Sequence, residues 1–266
     1  MSHGPNLTLE ERRRLRAKKI KKHSLANILT HWFNVAMWLL LLPTGIAILS
    51  SARLGLSPVI VQEALRNLFG GTANLITFHY SIGILWTVVI SYNVLLGFRK
   101  YFVPFAQTRM LLDKDDIEWL KVKPLQMFGL MKEKPLPPQD AYNAGQKIYG
   151  YVVVLGTAGI MSSGIVMTFH EVFPFWLLQV AQPLHWVSVG AIVAGLMVHV
   201  YMGAVFPEEK EAFFSMFTGE VSALYGRLHH SKWYFWKMKE EMEWEDRVIA
   251  ETEPHLQPPL LQREEN

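Results

Sequence analysis

Four long intervals of this chain contain no Asp, Glu, Lys or Arg: Ser24 to Ala52, Asn67 to Phe98, Ile148 to His170 and Val172 to Pro207. Each is longer than the roughly 20 residues an α-helix needs to cross the hydrocarbon core of a bilayer. A soluble domain of this length would scatter its charges through its surface helices. Here they are swept into the segments between the intervals. Lipid offers no hydrogen-bond partners, so each span must satisfy its own backbone. That requires helices, because a barrel would need many short alternating strands. The sequence therefore predicts an all-α integral membrane four-helix bundle. Its spans lie at about Asn27–Ser50, Ala73–Leu96, Ile148–Phe169 and Pro183–Phe206, and Pro183 is read as the start of the last one.

The basic residues give an orientation. Eight stand in the N-terminal segment between Arg12 and Lys22, and two, Arg53 and Arg66, in the first connection. Nine stand between Arg99 and Lys147, none in the third connection, and seven in the C-terminal segment. Cytoplasmic segments carry the excess of Lys and Arg, so both termini are expected in the cytoplasm. The expected division is a basic N-terminal segment 1–26, a transmembrane domain 27–207 with a cytoplasmic loop 99–147, and a C-terminal segment 208–266. The N-terminal segment is too charged for a signal peptide. It reads as a short basic helix with Thr8 and Glu11 in capping-box spacing, able to meet anionic lipid. EEKEAFFSMF reads as an amphipathic interfacial helix, and the final ETEPHLQPPLLQREEN as a polar, unstructured end. No cysteine is present, which excludes disulfides, thiolate-held clusters, a thiolate nucleophile and c-type haem attachment. A net charge of +3 gives no sign of nucleic-acid binding, since membrane orientation accounts for the basic residues.

Histidines carry the chemistry. Five lie in or near spans: His31, His79, His170, His185 and His199. Ionisable groups at membrane depth are costly and mark function. His185 and His199 are separated by 14 positions. That is about 21 Å along a helix, with the two side chains on one face. His31 matches the depth of His199, and His79 that of His185, so two cross-helix imidazole pairs are expected. Zinc wants three or four protein ligands, whereas haem brings four nitrogens of its own and takes two axial ones. The arithmetic suits two b-type haems at two depths, with irons about 20 Å apart along the membrane normal. Gly45, Gly83, Gly190 and Gly195 fall where a backbone would have to approach a haem, although close helix packing accounts for such glycines equally well. His170, beside Glu171, has no partner at its depth and reads as a surface residue. Such a pair of haems would conduct electrons between a partner subunit and a lipid-soluble quinone. Asn143 and Gln146, in YNAGQK, could hydrogen-bond a quinone carbonyl, or Asn143 could simply cap a helix and Gln146 sit at the interface.

Several stretches carry a resemblance: THWFN (Thr30–Asn34), FHYSIGI (Phe78–Ile84), YNAGQK (Tyr142–Lys147), LHWVSVG (Leu184–Gly190), VHVYMGA (Val198–Ala204), GEVS (Gly219–Ser222) and HHSKWY (His229–Tyr234). In this ordered series, over about His23 to Lys239, the chain resembles the cytochrome b556, or gamma, subunits of membrane-bound respiratory formate dehydrogenases. That resemblance implies two b haems, one held by His79 and His185 towards the periplasm and one by His31 and His199 towards the cytoplasm. It implies menaquinone, or ubiquinone, reduced beside the latter, with contacts from Asn143, Gly145, Gln146 and His199. It also implies an iron–sulfur beta subunit as donor, fed by a periplasmic molybdenum or tungsten alpha subunit, in the bacterial inner membrane with proton uptake from the cytoplasm. HHSKWY is expected to face the beta subunit. The middle loop and both tails look longer than the family's. Related b-type subunits of hydrogenases and thiosulfate or other molybdopterin oxidoreductases are the alternative. A haem-free anchor or transporter is a second.

Overall fold

A computed structural model describes residues 7–49, 58–131 and 133–252, with side chains described as far as Trp244. The C-terminal ETEPHLQPPLLQREEN falls almost wholly outside the described residues, as do His3, Arg53 and His255. The chain forms two compact units. One comprises residues 1–20, 113–144 and 221–266, the other residues 21–112 and 145–220.

The larger unit contains the four spans. Helix α2, Leu25–Ile48, follows the short helix α1 (Leu9–Ala17) and strand β1 (Lys19–Lys21). Ser24 caps α2, its hydroxyl accepting from the Asn27 N–H at 3.2 Å. A connecting helix, α3, spans Val59–Leu68, and α4 runs Thr72–Gly97. It continues through two π-helical turns, Phe98–Phe102 and Ala106–Met110, with a short α5, Val103–Phe105, between them. After α6 (Lys114–Met127), which belongs to the other unit, come α7, Ala144–Thr168, and α8, Phe175–Val200, the latter extended by a π turn, Tyr201–Val205. Among the described residues, four helical stretches are long and apolar enough to cross a membrane: 25–48, 72–110, 144–168 and 175–205.

The fourth span thus starts eight positions earlier than expected, at Phe175 instead of Pro183. Proline suits the first turn of a helix, which made Pro183 look like a beginning. In lipid, neighbouring groups tolerate an internal proline, and both Pro183 and Pro43 stand inside their helices.

Each span gives one residue to the buried centre: Met37 from α2, Trp86 from α4, Ile160 from α7 and Ile192 from α8. Phe33, Ile82, Val153 and Val189 pack around them. Trp86 also donates its Nε1–H to Asn34 Oδ1 at 2.8 Å, which satisfies both polar groups in the interior and fixes α2 against α4. The outward faces are apolar instead of charged: Leu39 is 70%, Leu95 77% and Leu155 73% exposed. Such a surface is stable only against lipid or a partner.

Helix α9, Lys210–Thr218, contains the expected amphipathic stretch. Phe217 packs on Trp32 with ring centroids 4.6 Å apart, and Trp32 Nε1–H donates to Met216 O at 2.7 Å. Gly219 ends the helix in the left-handed region, φ +79, and a Cβ there would stand 2.9 Å from the His23 carbonyl oxygen. Both facts demand glycine.

The smaller unit has a packed interior in which Val122, Val221, Leu224 and Trp233 are buried. Thr8 and Glu11 complete the anticipated capping box on α1, and Asp113 and Asp116 form a second on α6. Strand β2, Glu220–Ser222, pairs with β1 in a two-stranded sheet, the one departure from an all-helical chain among the described residues. Helices α10, Ala223–His229, and α11, Ser231–Thr252, follow. HHSKWY lies here, and much of it is turned inward: His230, Trp233 and Tyr234 are buried. The His230 Nδ1 is 2.6 Å from the Asp140 carbonyl, and Lys232 Nζ reaches both Asp113 and Asp115 at 2.6 Å. These residues build the unit itself. A surface for a partner would have to use neighbours such as Phe235 and Trp236, which are exposed.

Candidate functional site

Of the five histidines singled out, His31, His79, His185 and His199 lie in the larger unit, and two of them meet there as a ring pair. His79 of α4 faces His185 of α8, with ring centroids 6.5 Å apart and planes at 68°. His31 of α2 and His199 of α8 each have an aromatic neighbour, Trp32 and Tyr149. His170 sits exposed in a single 3-10 turn, His170–Val172. The match of His79 with His185 read from the sequence is therefore a ring contact in the structure.

The His79–His185 pair is held by two hydroxyls. Thr44 Oγ1 lies 2.8 Å from His79 Nδ1, and Ser163 Oγ lies 3.0 Å from His185 Nδ1. Both hydroxyl residues are buried, Thr44 at 4% and Ser163 at 1% exposure. Thr44 comes from α2 and Ser163 from α7, so all four spans contribute to this level. On the far side of His79, Gly45 places bare backbone against the ring: a Cβ there would stand 3.2 Å from His79 Cε1. Gly164 does the same for His185 at 3.6 Å.

The other level is built differently. His31 packs edge-on against Trp32 at 5.3 Å, and its buried Nδ1 has no hydrogen-bond partner among the described residues. His199 stacks on Tyr149 of α7, with centroids 5.5 Å apart and planes at 30°. Gly195 makes that stack possible. A Cβ at Gly195 would lie 2.5 Å from Tyr149 Cε2, well inside contact distance. The glycines expected to make room thus divide. Gly45 abuts a pair histidine, and Gly195 seats a tyrosine ring. Gly83 and Gly190 have no atom within 4 Å of where a Cβ would stand.

The geometry can be tested against a haem. An imidazole nitrogen is about 1.1 Å from its ring centre and bonds a metal at about 2 Å, so two axial imidazoles on one iron have centroids about 6.2 Å apart. The observed 6.5 Å matches. A tetrahedral metal site does not fit, because no group of three or more His, Cys, Asp or Glu converges among the described residues. Both Nδ1 atoms already have partners, which leaves both Nε2 atoms for a ligand. The residues present fit the group.

Asn143 directly precedes α7, and Gly145 and Gln146 lie in its first turn, all half-buried. Lys147 beside them is buried, with Nζ 3.1 Å from the Leu111 carbonyl. Sequence reasoning missed Thr44, Ser163 and Tyr149. Thr44 carried a usable signal, being adjacent to Gly45, one of the glycines expected where a backbone approaches a haem.

Fold and site together define a helical membrane protein with imidazoles at two depths. The chain belongs to the prokaryotic cytochrome b561 family, whose pattern matches residues 22–219. Membership implies a b-type haem, electron transfer in the membrane and, with four apolar spans, an inner-membrane protein. The chain is 24% identical over 219 residues to the formate dehydrogenase cytochrome b556 subunit of Haemophilus influenzae, a match covering 81% of this chain and 82% of that one. It is 20% identical over 222 residues to the formate dehydrogenase cytochrome b556(fdo) subunit of Escherichia coli, covering 82% and 93%. With the nitrate-inducible b556(Fdn) subunit of the same organism it shares 25% over 127 residues, covering 46% and 55%.

Proposed function

We propose that the chain is the cytochrome b subunit of a formate dehydrogenase complex. In this reading it takes electrons from an iron–sulfur partner on the periplasmic side and delivers them to menaquinone, or ubiquinone, near the cytoplasmic side. The 6.5 Å separation of His79 and His185, each with its Nδ1 occupied by a buried hydroxyl, carries the reading. Two haems are proposed, one between His79 and His185 and one between His31 and His199. Bound there, a haem supplies reversible one-electron storage, which no side chain in a cysteine-free chain provides.

The protein's own groups do the rest. Apolar spans exclude water from both pairs. Trp86 and Asn34 lock α2 to α4, the helices that carry His31 and His79. Asn143, Gly145, Gln146 and His199 are proposed to meet the quinone: Asn143 and Gln146 as donors to its carbonyls, Gly145 by allowing close approach. Both termini are placed in the cytoplasm on the distribution of Lys and Arg, and protons for quinone reduction are then drawn from that side. The relatives' names support formate as the electron source, and a molybdenum or tungsten alpha subunit and an iron–sulfur beta subunit are the proposed partners.

Purification of the intact complex tests this directly. Formate should reduce b-type haem at two per copy of this chain, and quinone should reoxidise it. His199→Ala should remove one haem and abolish quinone reduction. Retention of both haems in that variant would overturn the assignment. Reduction by hydrogen but not by formate would reassign the donor and leave the haem sites standing.

A further inference from the structure

The hydroxyls of Thr44 and Ser163 stand in the same relation to their histidines, although they come from different helices. Each also makes contacts with its own backbone. Thr44 Oγ1 is 2.8 Å from the Leu40 carbonyl and 3.1 Å from that of Leu41. Ser163 Oγ is 2.5 Å from the Gly159 carbonyl and 3.2 Å from that of Ile160. A hydroxyl has one proton to give, and a carbonyl can only accept. At each residue that proton is committed to the helix backbone. What the hydroxyl turns towards the imidazole is then a lone pair, so the ring nitrogen must donate. In that arrangement His79 and His185 both carry hydrogen on Nδ1, and both Nε2 lone pairs are available to a metal. Because both hydroxyls are buried, no water competes for these bonds.

We propose that Thr44 and Ser163 are positioning residues that fix the tautomer and raise the basicity of the two axial ligands of one haem, making that haem the more reducing of the two. The proposal rests on the haem reading above. A ring that donates its outer N–H to an oxygen gains electron density at the metal-binding nitrogen and favours the more positive, ferric state. The hydroxyls are polarised by the carbonyls they donate to, which strengthens the bonds they accept. The other pair lacks this device at His31, whose Nδ1 is buried without a partner among the described residues, and His199 rests on an aromatic face. The two levels thus differ in ligand strength by construction. The resulting gradient favours electron flow from the His79–His185 level to the His31–His199 level, which is the direction a quinone-reducing subunit requires.

Thr44→Val keeps the shape and removes the hydroxyl, Thr44→Ser keeps the hydroxyl and removes the methyl, and Ser163→Ala removes the second hydroxyl. Potentiometric titration of the complex in membranes, followed by visible absorbance and low-temperature electron paramagnetic resonance, reads the two haems separately. T44V and S163A should each raise one midpoint potential and alter the ferric signal of that haem only. T44S should behave as the parent protein does. Selective loss of that one haem in T44V, recovered in T44S, also supports the proposal. Unchanged midpoints and signals in T44V and S163A, with both haems present, overturn it, as does an equal shift in T44V and T44S. A parent protein without haem would instead refute the underlying reading.

Discussion

Replacing Gly195 by alanine tests how α7 meets α8 at the level of His199. The added Cβ would lie 2.5 Å from Tyr149 Cε2, whereas carbon atoms in contact normally sit about 3.5–4.0 Å apart. The ring must therefore withdraw by about 1 Å or more. Its flat stack on His199, now 5.5 Å between centroids, cannot survive that displacement. Overpacking of this kind costs about 1–3 kcal/mol. Replacing glycine with alanine inside a helix returns about 1 kcal/mol of backbone preference. The net loss should be up to about 2 kcal/mol, and it should depend wholly on the tyrosine. A cycle with Tyr149→Ala isolates this dependence: G195A should destabilise the parent protein but be neutral or stabilising by about 1 kcal/mol in the Y149A background. Thermal denaturation in detergent, followed by absorbance, provides the readout, and the His31–His199 haem should show an altered spectrum in G195A. Equal cost in both backgrounds would show that the clash drawn here does not govern the interface.

Two further expectations concern groups outside the spans. Burial, with help from the neighbouring Lys22 and His31, pushes the His23 imidazole down to about 4. The unfolded chain then binds the extra proton between pH 6.5 and about 4, so stability should fall as pH falls through that window, and His23→Asn should flatten the slope in equilibrium or thermal unfolding. A slope unchanged by the substitution would mean that another group titrates there. In the smaller unit, His230→Ala removes a 1%-exposed ring and strands the Asp140 carbonyl, at a cost of about 2–4 kcal/mol. Limited proteolysis should then cut near α10 and α11 faster, with a red shift of Trp233 emission. Parent-like protection would show that the ring is dispensable.

The spans were legible because lipid imposes a crude rule, the exclusion of charge over 20 residues or more, and the chain obeys it without exception. The histidine pairs were legible because 14 residues is close to four whole helical turns, so depth and face could be read from spacing alone. What escaped was local and three-dimensional. Ser163 reaches His185 from another helix, and no spacing within one segment encodes that meeting. Tyr149 touches His199 only because position 195 lacks a side chain. The start of α8 was placed eight residues late, at Pro183, although the charge-free interval already began at Val172. HHSKWY looked like a docking signature, yet His230, Trp233 and Tyr234 serve the interior of their own unit.

Helix α8 carries one member of each imidazole pair, and this has a consequence for the history of the sequence. The vertical interval between His185 and His199 is measured out by an unbroken covalent rod, not by the docking of separate pieces. Inserting a single residue between positions 186 and 198 would turn one imidazole about 100° away from its counterpart. A loop of this chain could take an extra residue without moving either imidazole, but that interval of the rod could not.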